Sequence, residues 1–143
     1  MMSYSEIFQF CNSLAMLNWL LLLIAPRWKW TGRIVVGMSI TLLAALYVFF
    51  VFQALNMEDM SNFGSLEGVM ALFTNEQAVL VGWIHYLAFD LMVGYHITRD
   101  AAKHNINHLF IVPCLLCTFM LGPTGLLIYF LIRLVKSKQY FWE

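Results

Sequence analysis

Four long apolar stretches dominate this chain and leave it few ways to fold. A bilayer span needs about 20 mostly apolar residues, because the helix must cross a hydrocarbon core of roughly 30 Å with every backbone group hydrogen-bonded. Stretches of that kind run from about Ile7 to Ala25, Ile34 to Leu55, Gln77 to Thr98 and Leu109 to Val135, the last longer than one span requires. Composition agrees: 62% of the 143 residues are hydrophobic and 11% charged, against about 25% charged in ordinary globular proteins. Too few charges remain to cover a water-soluble globule. A formal net charge of zero supplies no general basic field and excludes nucleic acid as a partner. The expected fold is therefore all-α, a polytopic membrane helix bundle of about four spans forming one domain over residues 1–143.

The first stretch ends at Pro26, followed by Arg27, Trp28, Lys29 and Trp30, a cluster of interfacial anchors. It reads as a retained span rather than a cleaved signal peptide, because its start has no basic region and carries Glu6. Short cytoplasmic connections carry the excess of Lys and Arg. Arg27, Lys29 and Arg33 put the first connection inside, Glu58, Asp59 and Glu67 put the second outside, and Arg99 and Lys103 put the third inside. The N-terminus is then expected outside. Four simple spans would leave the C-terminus outside too, yet Arg133, Lys136 and Lys138 make it basic. The sequence Gly122-Pro123-Thr124-Gly125 offers the resolution, because Pro removes a backbone donor and Gly loosens the helix. Either one kinked helix crosses the bilayer, the preferred reading, or two half-helices form a re-entrant hairpin. In the second connection, Leu66, Val69, Met70, Leu72 and Phe73 fall at near-helical spacing and suggest a short amphipathic helix on the membrane or, equally, a capping loop.

Ionisable groups are costly inside a bilayer and mark candidate functional positions. The third span carries most of them. At 100° per residue, His96 lies about 20° from His85 around the helix, Asp100 about 60°, Asp90 about 140° and Glu76 about 180°. His85 and His96 stand roughly 16 Å apart along the axis and cannot share one ion. His96, Asp100, His104 and His108 are spaced four apart and would form a ladder if the helix persists. Imidazoles of this number suit non-haem iron, so His85, His96, His104 and His108 are the candidate metal ligands. Asp90, a lone carboxylate in a span, must protonate or find a cation, and Arg133 is one possible partner. His85, Asp90, Asp100 and Glu76 are the candidate catalytic groups, and Trp83, Tyr86, Phe89 and Asn18 are candidates to bind a flat apolar molecule. Cys114 and Cys117 form a CxxC within the last stretch; with three cysteines in all, they read as packing residues.

Taken together, Asn18-Trp19, Pro26, Glu76, Trp83, His85, Asp90-Leu91, Gly94, Asp100, Pro113-Cys114 and Gly122-Pro123-Thr124-Gly125 give the chain a resemblance to a known family over nearly its whole length. It resembles the integral membrane family named after the plant abscisic-acid-deficient-four protein. The resemblance implies carotenoid chemistry. Plant members are linked to neoxanthin formation, in which a xanthophyll epoxide is opened to an allene, and some microbial relatives resemble enzymes that cleave β-carotene to retinal. No Arg- and Ser-rich transit segment is visible, which favours a bacterial inner membrane and a simpler carotene. The leading expectation is a carotenoid-cleaving oxygenase using non-haem iron. The alternatives are metal-free isomerisation of an epoxy-xanthophyll, with Asp90 as acid and His85 as base, and a non-enzymatic carotenoid-binding subunit. The expected partners are the lipid bilayer, the carotenoid and a second copy of the chain in a homo-oligomer.

Overall fold

A computed structural model describes residues 3–54 and 62–138, and over these the protein is built from helices. Helix α1 spans Tyr4–Ile24 and begins at a capping box: Glu6 N–H donates to Ser3 Oγ, and the Glu6 carboxylate accepts from Ser3 N–H at 2.7 Å. A turn closed by the Thr31 hydroxyl on the Ala25 carbonyl at 2.7 Å leads into α2, Arg33–Ala54. The first eight residues of α2 are wound as a π-helix. Ser65 caps α3, Leu66–Leu72, and Asn75 caps α4, Glu76–Lys103, by accepting from the Gln77 and Ala78 N–H groups. Asn107 caps α5, His108–Leu121, and α6, Pro123–Ser137, follows one residue later. The short amphipathic helix expected in the second connection is α3. Glu58 and Asp59, whose charges entered the orientation reading, lie outside the described residues.

Helices α1, α2 and α4 are each long and apolar enough to cross a membrane. They pack on one another with α4 at the centre, carrying the longest run of buried positions from Leu80 to Ala101. Gly94 lets α1 approach closely, because a Cβ there would meet Trp19 Cη2 at 2.5 Å. Asn18 joins α1 to α2, donating to its own helix at the Leu14 carbonyl (2.7 Å) and to Ser39 Oγ (2.9 Å) in the π-helical stretch.

The last apolar stretch is a hairpin rather than one kinked span. Gly122, at φ +49° and ψ −103°, reverses the chain, and Pro123 opens α6 at a position where its missing N–H is not needed. Gly125 lies directly on the Cys114 carbonyl and Thr118 of α5. Lys136 Nζ sits 4.5 Å from the centroid of the Phe110 ring at the opposite end. Residues 11 and 26 apart can touch in this way only if α5 and α6 run antiparallel. At 14 and 15 residues, the two helices are roughly 21 and 22 Å long, short of a 30 Å core. The kinked-helix reading failed because periodicity within α6 carries no information about the direction the chain takes at Gly122.

One consequence concerns charge. The ends of α1, α4 and α6 and the starts of α2 and α5 meet at one pole, as the His108 Nε2 contact to the Leu23 carbonyl at 2.8 Å shows. All eight Lys and Arg residues, from Arg27 to Lys138, belong to this pole. Glu6, Glu67 and Glu76 belong to the other.

Candidate functional site

Three polar centres lie along α4, each facing different neighbours. In the middle, Tyr86 and Asp90 are one helical turn apart on the face toward α1 and the α5–α6 hairpin. The Tyr86 hydroxyl donates to the Phe119 carbonyl of α5 at 3.1 Å and lies within interaction range of the Asp90 carboxylate. Asp90 Oδ1 comes within 3.0 Å of where a Cβ on Gly122 would sit, so the carboxylate abuts the chain reversal. Its Oδ2 is buried and has no hydrogen-bond partner among the described residues. Aromatic and amide groups continue the strip toward the acidic pole. Trp83 Nε1–H donates to Asn12 Oδ1 at 2.8 Å, and the Trp83 ring stands 5.3 Å from Tyr86 and 5.5 Å from Phe8.

His85 faces elsewhere, as the 140° separation from Asp90 requires. It stacks on Phe89 at 4.6 Å between centroids and faces Tyr47 of α2 at 5.5 Å. The pairing of Asp90 with His85 as acid and base therefore does not form. Phe89 belongs to the His85 side, and Asn18 is buried between α1 and α2, so of the expected binding residues only Trp83 and Tyr86 share the Asp90 strip.

At the basic pole, Asp100 is the centre of a buried cluster. Arg133 Nε of α6 approaches Asp100 Oδ2 at 2.8 Å, and the Tyr129 hydroxyl donates to the same oxygen in a short hydrogen bond. His104 Nδ1 stands 3.5 Å from Asp100 Oδ1, while its Nε2 lies 3.3 Å from Arg133 Nη2. Arg133 is thus the partner of Asp100, not of Asp90, which is ten residues and roughly 15 Å away along α4. Arg133 and Tyr129 are 1% and 0% exposed, which leaves no room for a substrate between them. Through these contacts Asp100 joins the hairpin to α4.

The expected ladder of His96, Asp100, His104 and His108 breaks at Asn105, whose φ of +54° ends the helix. His104 caps α4, and His108 begins α5 and turns to the Leu23 carbonyl of α1. Among the described residues no three His, Cys, Asp or Glu side chains come together as a set that could hold a metal ion. The donor groups therefore do not fit a non-haem iron held by His85, His96, His104 and His108. Glu76, in the first turn of α4, lines an open groove with Tyr4, Phe50 and Gln53 at the acidic pole, roughly 21 Å along the axis from Asp90. Cys11, Cys114 and Cys117 are free thiols.

A half-buried carboxylate and a phenol one turn apart in mid-helix, with the Trp83 and Phe8 rings beyond them, define a helical protein with three helices apolar enough to span a membrane and a polar centre in the middle of one of them. Sequence comparison gives the family. The chain belongs to the ABA DEFICIENT 4-like family, whose model matches residues 6–129, and is thereby related to carotenoid metabolism. Comparison with curated proteins and with solved structures gives no match. The match covers the α4 centre, Gly122 and Tyr129 and stops short of Arg133.

Proposed function

We propose that this protein is a membrane enzyme that rearranges an epoxide-bearing end group of a carotenoid by proton transfer, without a metal, at Tyr86 and Asp90. The observation that carries the reading is the partnerless Oδ2 of Asp90 beside the Tyr86 hydroxyl in mid-span. A buried acceptor left unmatched costs roughly 1–3 kcal/mol, and it is retained where a reacting group will use it. In the step proposed, the Asp90 carboxylate removes a proton from the carbon next to the epoxide-bearing carbon. The C–H electron pair becomes a new double bond, the epoxide C–O bond breaks, and the released oxygen takes the Tyr86 proton to become a hydroxyl. Transfer of the proton from Asp90 to Tyr86 resets the pair. Nothing is oxidised or reduced, and substrate and product are isomers.

Cleavage of β-carotene to retinal by an oxygenase asks for a redox centre, and the described residues do not bring an iron ligand set together. The rearrangement asks only for groups that already adjoin. The test is co-expression in cells that accumulate β-carotene and, in parallel, cells that accumulate an epoxy-xanthophyll, with pigments separated by chromatography. The expected result is an isomeric product from the epoxide, lost on Asp90→Asn with membrane insertion retained. Retinal from β-carotene, with the epoxide untouched, would overturn the proposal.

A further inference from the structure

On the opposite side of α4 from Asp90, a cavity of about 310 Å³ opens between α2, α3 and α4. Its wall is apolar over most of its area, formed by Phe63, Phe73, Leu72 and Val81 among others, with His85 and Tyr47 as its hydrogen-bonding side chains. Phe73, just after α3, lies against α4 at Gly82, where an added Cβ would meet the ring at 2.8 Å. The short helix α3 and the segment after it thus roof the cavity. His85 lies well inside the α4 span on its exposed side, at the edge of the cavity, and the described residues offer its imidazole ring contacts only, with Phe89 and Tyr47. An imidazole in an apolar setting without a hydrogen-bond partner is unfavourable, and a ligand oxygen would relieve it.

From this juxtaposition we infer that the cavity is a second binding site, for a cyclic isoprenoid end group that carries a hydroxyl, with His85 bonding the oxygen and the aromatic walls enclosing the ring. The ligand class rests on the carotenoid reading above; the cavity, its size and the imidazole at its wall do not. A cavity of this volume is at the lower end of ligand pockets and suits one ring rather than a whole polyene. The rest of the molecule would lie outside, along the membrane-facing surface where Phe89 is 62% exposed. His85 is then a specificity residue, rewarding a hydroxylated ring over a bare one, and takes no part in the proton transfer at Asp90.

The test uses the full chain in lipid nanodiscs and equilibrium dialysis with two probes, 3,3,5-trimethylcyclohexanol and the corresponding hydrocarbon, corrected for uptake by empty discs. The intact protein is expected to take up the alcohol saturably at one per chain and more tightly than the hydrocarbon. His85→Phe is expected to weaken alcohol binding three- to tenfold, the range for one net hydrogen bond, and to leave the hydrocarbon unchanged. Ala78→Phe, which fills the cavity from α4, is expected to abolish uptake of both. Asp90→Asn, which removes the proposed chemistry, is expected to leave both affinities intact, so failure at Asp90 and failure at the cavity read differently. Equal affinity for alcohol and hydrocarbon, or uptake unaffected by Ala78→Phe, would overturn the inference.

Discussion

At the residue scale, three acidic side chains on α4 have different fates because they meet different neighbours. Asp100 is matched by Arg133 and Tyr129, Glu76 stands at an exposed helix start, and Asp90 keeps an oxygen without a partner. Their separation along α4 was legible from the sequence, and so was the 140° angle that keeps Asp90 from His85. Which carboxylate Arg133 would meet was not, because that depends on the hairpin, and helical periodicity stops at Gly122. The clamp makes a stability prediction. Arg133→Met alone strands a buried carboxylate and is expected to destabilise the protein by about 2–4 kcal/mol in a detergent unfolding titration. Adding Asp100→Asn should recover most of that loss, and a double variant as unstable as the single one would contradict the clamp. At Tyr86, phenylalanine keeps the ring contact with Trp83 but removes the proton, so Tyr86→Phe is expected to cut turnover at least 100-fold with insertion unchanged.

At the scale of elements, the caps were visible as Ser3, Asn75 and Asn107, and the long apolar runs marked α1, α2 and α4 directly. The π-helical start of α2 had no such signal; it appears where Ser39 meets Asn18 of α1, a tertiary contact. The hairpin shows the same limit, since Gly122-Pro123 announces a break but not its angle. Two glycines carry that angle. Gly122 holds a backbone conformation that L side chains rarely adopt and has Asp90 where a side chain would go, so Gly122→Ala is expected to damage both the hairpin and turnover. Gly125→Val instead pushes α6 off Cys114 and Thr118 and is expected to destabilise without touching Asp90 first. Comparing unfolding midpoints and turnover for the two variants separates the effects. Loss of stability without loss of turnover in Gly122→Ala would contradict the placement of Asp90 against the reversal.

At the scale of the whole molecule, three helices long and apolar enough to span a membrane are followed by a hairpin of two shorter ones, an arrangement in which a basic C-terminus no longer conflicts with the other basic connections. With both arms of the hairpin too short to cross, the α4–α5 connection and the end of α6 share one face with the α1–α2 turn. We propose that this basic face is cytoplasmic, since Lys and Arg are retained there during insertion. Single cysteines placed at Lys29, Lys103 and Lys138 in a chain lacking its native cysteines are expected to resist a membrane-impermeant thiol reagent in intact cells and to react after lysis, whereas one at Glu67 reacts in intact cells. Labelling of position 138 on the side opposite 103 would refute the hairpin. The basic pole and the apolar middle were readable from composition and spacing. The chemistry in that middle was legible only as a carboxylate in the wrong solvent.

The most direct measurement of the proton-transfer account is conversion of an epoxy-xanthophyll by the purified protein in nanodiscs, with oxygen excluded and metals removed by chelation, followed by mass spectrometry of the product. Undiminished turnover to a product of unchanged mass, abolished in Asp90→Asn, is the result the account requires. A reaction that stops without oxygen and on its return yields two shorter fragments would contradict it.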